Sequence, residues 1–202
     1  MDTHRRHTLG LLLASTASTV AATASLRTPR AAEGPFYPTE AMRYSDRDND
    51  LVRRRARVRD AGGEVLHLRG RVLDRSGQPI AGARVEIWQC DVNGRYLHTG
   101  DRGGRPRDPD FQGFGFDLTD AEGHYRFRTL KPVAYPGRTP HIHVKVLDGQ
   151  RALLTTQFYL ADHPDNARDG LYRRLDADQV AAVSMRLTPV DADHETVVNI
   201  TV

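Results

Sequence analysis

A single cysteine, Cys90, in 202 residues excludes an intramolecular disulfide. If the chain is exported, its stability must come from its core or from a bound metal. Long apolar runs are also missing. The most apolar stretch, TLGLLLASTASTVAA (8–22), is too short and too rich in Ser and Thr for a membrane-spanning helix. Neither sign of charge dominates: 29 basic residues against 26 acidic leave a net +3, so nothing demands a polyanionic partner. The one basic run, RRRARVR (53–59), lacks the aromatic interleaving of a nucleic-acid surface and reads as a solvated or salt-bridged loop. Internal repeats, low-complexity blocks and an HExxH zinc-hydrolase motif are all absent.

What is present begins with a leader. Basic MDTHRRH, the short apolar run and a small-residue site at Ala22-Thr23-Ala24 give residues 1–24 the form of an export signal. The expected location is therefore periplasmic or secreted, without stable membrane insertion. Arg5-Arg6 suggests the twin-arginine route, although Thr8 stands where a large apolar residue is usual. That route carries folded proteins, which suits one that takes up a metal before crossing. Residues 25–60 follow as an extended arm. Its EGPFYPTEAMRYSDRDNDLVRRR (33–55) is rich in Pro, Asp and Arg and shows no clear period.

Residues 61–202 read as one β domain. VLHLRGRVLD (65–74), ARVEIWQ (83–89), FGFDLTD (114–120), HYRFRTL (124–130), PHIHVKVLD (140–148) and ALLTTQFYL (152–160) have strand character and are separated by turn signals. FGFDLTD and HYRFRTL are expected to form one hairpin across AEG, and the last two segments another across Gly149. VSMRLTPV and TVVNITV follow near the end, and HPDNARDGLYRRL (163–175) is the one expected helix. About eight short strands point to an all-β fold. The expectation is an antiparallel β-sandwich with an extended N-terminal arm and one short helix.

Chemistry concentrates in AYPGRTPHIHVKV (134–146). Residues i and i+2 of a strand share a face, so His141 and His143 project side by side with Lys145, opposite Ile142, Val144 and Val146. An isolated H-x-H is most simply two polar residues on a solvent-facing side. Here, however, Tyr135 lies just upstream, and Tyr96 follows a strand and turn in WQCDVNGRYLH. Two phenolates and two imidazoles would make an N2O2 set. Fe(III) suits anionic oxygen donors and would lower the phenol pKa, whereas zinc favours Cys, His and carboxylate. Each tyrosine alone is readily explained as a strand-end ring with a wet hydroxyl. The combination is what points to a metal.

Taken in order, W-Q, G-R-Y, Y-P, R-x-x-H-I-H and T-Q, together with EGPFYP (33–38), GQPIAGARVEIWQCDVNGRYLH (77–98) and DPDFQGFG (108–115), resemble the intradiol ring-cleavage dioxygenases, the non-haem Fe(III) enzymes that include protocatechuate 3,4-dioxygenase and catechol 1,2-dioxygenase. The resemblance covers most of the chain after the leader. It implies that Tyr96, Tyr135, His141 and His143 hold Fe(III), with Tyr96 staying bound and Tyr135 leaving as substrate binds. It gives Arg138 the role of steadying charge on the bound ring, and places Gln157 near the reacting carbons. The implied reaction is cleavage by O2 of a catechol-type diol between its hydroxylated carbons, to a cis,cis-muconate-type product. A homo-oligomer is left open.

Two departures bear on the substrate. Only Pro136 to Pro140 separate the Tyr-Pro from the histidine pair, where better-known relatives carry a longer insertion that helps roof the pocket. The helical N-terminal dimerisation region of the catechol 1,2-dioxygenases is missing before EGPFYP. A more open pocket, taking a catechol larger than the bare ring, is the expectation. The competing readings are a non-catalytic β-sandwich binding module and a metal-dependent hydrolase using the two histidines. Trp88 and Cys90 are expected to pack, His98 and His163 to be surface residues, and Asp108 and Asp110 to form a turn.

Overall fold

The computed structural model describes residues 26–55, 57 and 59–202; the leader lies outside the described residues. The strands are β1 (Val65–Leu73), β2 (Arg84–Trp88), β3 (Phe114–Leu118), β4 (His124–Leu130) and β5 (His141–Asp148). They continue with β6 (Arg151–Leu160), β7 (Ser184–Met185), β8 (Thr188–Val190), β9 (Asp193–Val197) and β10 (Ile200–Thr201). A short helix, α1 (Ala177–Val183), lies between β6 and β7. No helix among the described residues is long and apolar enough to cross a membrane.

The strands form two five-stranded sheets. In the first, β1 pairs with β4 along one edge and with β9 and then β10 along the other, and β8 extends β9. The second runs β3-β2-β5-β6-β7. The period-2 alternation sorts the side chains as a sandwich requires. Leu66, Leu68 and Val72 of β1 and Phe127 of β4 face Val85 and Ile87 of β2, Ile142, Val144 and Val146 of β5, and Leu154 and Phe158 of β6 in one buried cluster.

Three features differ from the sequence expectation. The sandwich is mixed, because β9 and β10 run parallel to β1, and β7 parallel to β6. FGFDL and HYRFRTL do not form a hairpin. The Asp120–Gly123 turn is made as expected, with Asp120 Oδ1 accepting from the Glu122 and His124 amides at 3.1 and 2.7 Å. The chain nevertheless changes sheets there, so that β3 pairs with β2 and β4 with β1. Turn chemistry reverses the chain locally; which partner a strand takes is decided by the two inner faces.

The helix also lies elsewhere. Residues 163–175 contain two 3-10 turns, Pro164–Ala167 and Tyr172–Arg174. Between them the buried Asp169 side chain accepts from the Leu171 and Tyr172 amides at 2.8 and 3.0 Å, capturing donors that a continuous helix would use. The α-helix forms after Asp176, where Asp176 and Gln179 make a reciprocal capping box.

The arm runs along the second sheet. The Ala31 amide bonds the Thr155 carbonyl at 2.9 Å, Glu33 pairs with Lys145 at 2.6 Å, and Tyr37 Oη donates to Glu86 at 2.6 Å. The basic run is salt-bridged: Arg53 to Asp60, Arg55 to Asp46 and Arg57 to Asp110. Asp108 takes the Gly62 and Asp110 amides, a structural use. Gly70 has the tightest surroundings of the described glycines. A Cβ at Gly70 would overlap the Val198 carbonyl, which also accepts from Tyr125 Oη at 2.6 Å. Gly70→Ala should therefore cost about 3 kcal/mol in a denaturant titration; an unchanged midpoint would contradict this packing.

A second cluster, Trp88, Cys90, Tyr96 and Phe114 with Phe36, Tyr37 and Tyr135 packed against it, covers the outer side of the second sheet at one end. Burial, with Asp91 adding to it, pushes the Cys90 thiol up to about 12. The native protein should therefore resist thiol-labelling reagents at pH 8 and take up one equivalent once unfolded. Rapid labelling of the native form would contradict this burial.

Candidate metal centre

The second cluster encloses the histidine pair. In the sheet register Trp88 stands opposite His143 and His143 opposite Gln157, while His141 stands opposite Tyr159. Two rows of polar and aromatic groups thus share one face across β2, β5 and β6. The face is not solvated. His141 is 1% exposed and His143 3%, which corrects the picture of a half-buried strand with a polar outer side.

Tyr96 reaches this face through the loop after β2. Asp91 Oδ1 accepts from the Asn93 and Arg95 amides at 2.8 and 3.0 Å and Gly94 adopts φ +76°, so the chain folds back over the sheet. Tyr135 and Arg138 are brought together by a tight turn. Pro136-Gly137 occupy its centre, Gly137 has φ +81°, and the Arg138 amide bonds the Tyr135 carbonyl at 2.9 Å.

Three donor atoms converge. Tyr96 Oη lies 3.2 Å from His141 Nε2 and 3.1 Å from His143 Nε2, and the two Nε2 atoms are 3.2 Å apart. Ligand atoms each about 2.0–2.1 Å from one ion lie roughly 3 Å from each other, so the triangle has the size of one face of a coordination shell. The Tyr135 ring stands 5.6 Å from those of Tyr96 and His141, beside the triangle of donor atoms. Tyr96 is 2% exposed, whereas Tyr135 is partly open to solvent.

The electrostatics suit a cation. Burial, reinforced by the Arg138 charge, holds His141 down to about 4, against the Thr139 hydrogen bond. Burial, followed by His141 and Arg138, holds His143 well below the usual imidazole value. Both rings are therefore neutral. His141 Nδ1 donates to the Thr139 carbonyl at 2.7 Å, which turns its Nε2 lone pair toward the centre. Burial raises Tyr96 well above the usual phenol value, with Tyr135 adding to it, and burial raises Tyr135 too. Lone pairs thus converge where no proton is readily shed, and a highly charged ion would supply the missing positive charge. The residues present fit Fe(III) on this donor chemistry.

The two residues expected to act on substrate meet each other. Arg138 Nη2 donates to Gln157 Oε1 at 2.5 Å, and Arg138 Nε to Asp169 Oδ2 at 2.8 Å. Tyr159 Oη also donates to Gln157 Oε1, at 3.0 Å. Burial works against the Arg138 charge, but Asp169, Tyr135 and Tyr159 together outweigh it and hold the guanidinium above its usual value.

Asp169, Tyr159 and the Thr139 carbonyl went unseen in the sequence. Tyr159 was detectable, being two residues beyond Gln157 on the same strand face. Asp169 gave no such signal, since it arrives from a loop distant in sequence. His98 and His163 stand apart from the centre, accepting from the Gly100 and Asp165 amides. Asp120, Glu122 and His124 also converge, but they are exposed and Asp120 is taken up by its turn. Beside Tyr135 and Arg138 lies a cavity of about 250 Å³, reached also by Arg168 and Asp165.

Similarity to known proteins agrees with this geometry. The family described as Dioxygenase matches residues 32–194. The protocatechuate 3,4-dioxygenase beta chain of Burkholderia cepacia is 40% identical over 147 residues, covering 69% of this chain and 62% of that one. The catechol 1,2-dioxygenase of Candida albicans is 31% identical over 166 residues, covering 73% of this chain and 52% of that one. The chain thus spans between a half and two thirds of the length of these curated relatives. Among solved structures, the dioxygenase domain of a dioxygenase carbohydrate-binding protein fusion from Streptomyces sp. SirexAA-E superposes with a TM-score of 0.68 at 31% identity. That match covers 87% of this chain and 97% of that one. An intradiol ring-cleavage dioxygenase from Tetranychus urticae gives 0.69 at 25% identity, covering 87% and 93%.

Proposed function

The chain belongs to the intradiol ring-cleavage dioxygenase family, and from that premise we propose that it cleaves a catechol-type diol with O2 to a cis,cis-muconate-type product. Tyr96, Tyr135, His141 and His143 hold Fe(III) in this reading. The observation that carries it is the convergence of Tyr96 Oη, His141 Nε2 and His143 Nε2 to within 3.1–3.2 Å of one another.

Bound ferric ion supplies Lewis acidity, which ionises phenols and diol hydroxyls held against it. The rest falls to side chains of this chain. Buried Tyr96 would stay in place, while the more open Tyr135 would accept a diol proton on its Oη. Arg138, fixed by Asp169 and Gln157, would stabilise negative charge developing on a diol ring held at the centre. Trp88 and Phe36, packed around His143 and Tyr96, exclude water and so strengthen that electrostatic effect.

The short Pro136–Pro140 segment and the cavity beside it support a diol larger than bare catechol. Oxygen uptake by the Fe(III)-loaded protein across a panel of substituted diols should be one O2 per ring opened, fastest on a substituted ring. Turnover of unsubstituted catechol alone would contradict the size preference, and no uptake with any diol would contradict the function. We also propose that residues 1–24 direct export. The mature chain from a bacterial host should then begin at Ser25 by mass spectrometry, and an intact Met1 in the exported fraction would contradict cleavage there.

A further inference from the structure

The two imidazoles of the centre are held in different ways. His141 is fixed by its Nδ1 bond to the Thr139 carbonyl, 2.7 Å long. His143 Nδ1 is buried and has no hydrogen-bond partner among the described residues, although metal-binding imidazoles almost always donate their second nitrogen to an acceptor. Something other than a hydrogen bond must therefore set the angle of this ring.

Two contacts are placed to do so. Trp88, opposite His143 in the β2–β5 register, stacks on it with centroids 4.7 Å apart and planes 14° from parallel. Trp88 is in turn held edge-on by Tyr37 at 4.8 Å, whose hydroxyl is tied to Glu86. On the ring's edge lies the arm. Gly34 has φ +79°, and a Cβ built there would come within 3.3 Å of His143 Cε1. That carbon lies between the two ring nitrogens, so pressure on it displaces Nε2 directly. The arm cannot easily yield, because Ala31 is bonded to Thr155, the Ala32 carbonyl accepts from Gln157 Nε2 at 3.3 Å and Glu33 is paired with Lys145.

We propose that Trp88 and Gly34 are positioning residues for the His143 ring, in place of the hydrogen bond its Nδ1 lacks: Trp88 clamps its face, and Gly34, having no side chain, leaves its edge the room this orientation needs. This rests on the reading of His143 as a metal ligand. The stack stops the ring from turning about its Cβ–Cγ bond, whereas any side chain at position 34 would push it in plane. The arm is thereby part of the metal centre, although it contributes no donor atom.

The test is Gly34→Ala in the full chain, read by Fe(III) affinity in chelator competition, by the charge-transfer spectrum and by the melting point of the metal-free protein. Gly77→Ala is the control. Gly77 has φ +80° but nothing within 4 Å of its would-be Cβ, so it carries the same backbone penalty without the contact. Gly34→Ala should weaken Fe(III) binding about tenfold or more and move the absorption band. Gly77→Ala should leave both unchanged while lowering the metal-free melting point comparably. Trp88→Phe, which keeps an aromatic face, should retain most of the affinity that Trp88→Leu loses. Gly34 is exposed, so the test stands even where Trp88→Leu fails to fold. Wild-type affinity and spectrum in Gly34→Ala would overturn the role of Gly34 alone, and equal affinity in Trp88→Leu and Trp88→Phe would overturn the clamp. A wild-type protein that holds no Fe(III) would overturn the metal reading and the clamp with it.

Discussion

Replacing His141 with alanine should bleach the iron-loaded protein and lower diol turnover by roughly 10³-fold or more. His141 Nε2 is one corner of the 3.1–3.2 Å triangle, and the nearby Asp169 carboxylate is engaged by Arg138 and the Thr139 amide. A Lewis acid at the reacting centre is worth several kcal/mol, and each 1.4 kcal/mol is about tenfold in rate. The fold should survive. The lost ring leaves a space on the outer side of the second sheet, away from the main apolar core, and the Thr139 carbonyl can bond water admitted to it. The check is metal content, absorbance and oxygen uptake on one preparation with a native circular dichroism spectrum. Turnover within tenfold of wild type would remove His141 from the centre.

Asp169→Ala should be the most damaging change to stability among the residues around the site. Its side chain is fully buried against Arg138 and takes four donors: Arg138 Nε, and the amides of Thr139, Leu171 and Tyr172. Removing it strands a largely buried guanidinium and leaves three backbone amides without their acceptor. Breaking one partner of a buried pair costs about 3–5 kcal/mol, which a chain of this size shows as a fall in melting point of roughly 10 °C. Asp169→Asn keeps an acceptor for the amides and should lose less. The measurement belongs on the metal-free protein, so that any change in metal affinity does not add to it. A melting point within 2 °C of wild type would mean that Arg138 finds another partner. It would also mean that the Asp169 bonds carry little of the fold.

The contrast between these two residues shows how far the chain could be read without its structure. His141 and His143 were legible because a period-2 strand places them together by local geometry, and Tyr135 and Arg138 through the family resemblance of Y-P and R-x-x-H-I-H. The β1 and β5 segments declared themselves by alternation, and the β2 and β6 segments by strand character between turn signals. What escaped was set by tertiary packing. FGFDL and HYRFRTL carry a good reversing turn, yet each finds a better partner in β2 and β1, and nothing local records that choice. The 163–175 segment has helical composition, but Asp169 is drawn to Arg138 and takes the amides a helix would need. The helix starts after the neighbouring Asp176–Gln179 capping box instead, a signal that the sequence reading passed over. The burial of the histidine face depends on the arm returning across it, a contact more than a hundred residues apart in sequence, between Gly34 and His143.

The central claim is that Tyr96, Tyr135, His141 and His143 form one ferric centre open to a diol. The visible spectrum of the Fe(III)-loaded protein, recorded before and after anaerobic addition of catechol, tests it most directly. The account predicts a tyrosinate-to-Fe(III) charge-transfer band that moves to longer wavelength when the diol is added. A colourless protein after loading, with metal analysis finding no bound iron, would contradict it and leave a β-sandwich module that binds without catalysis.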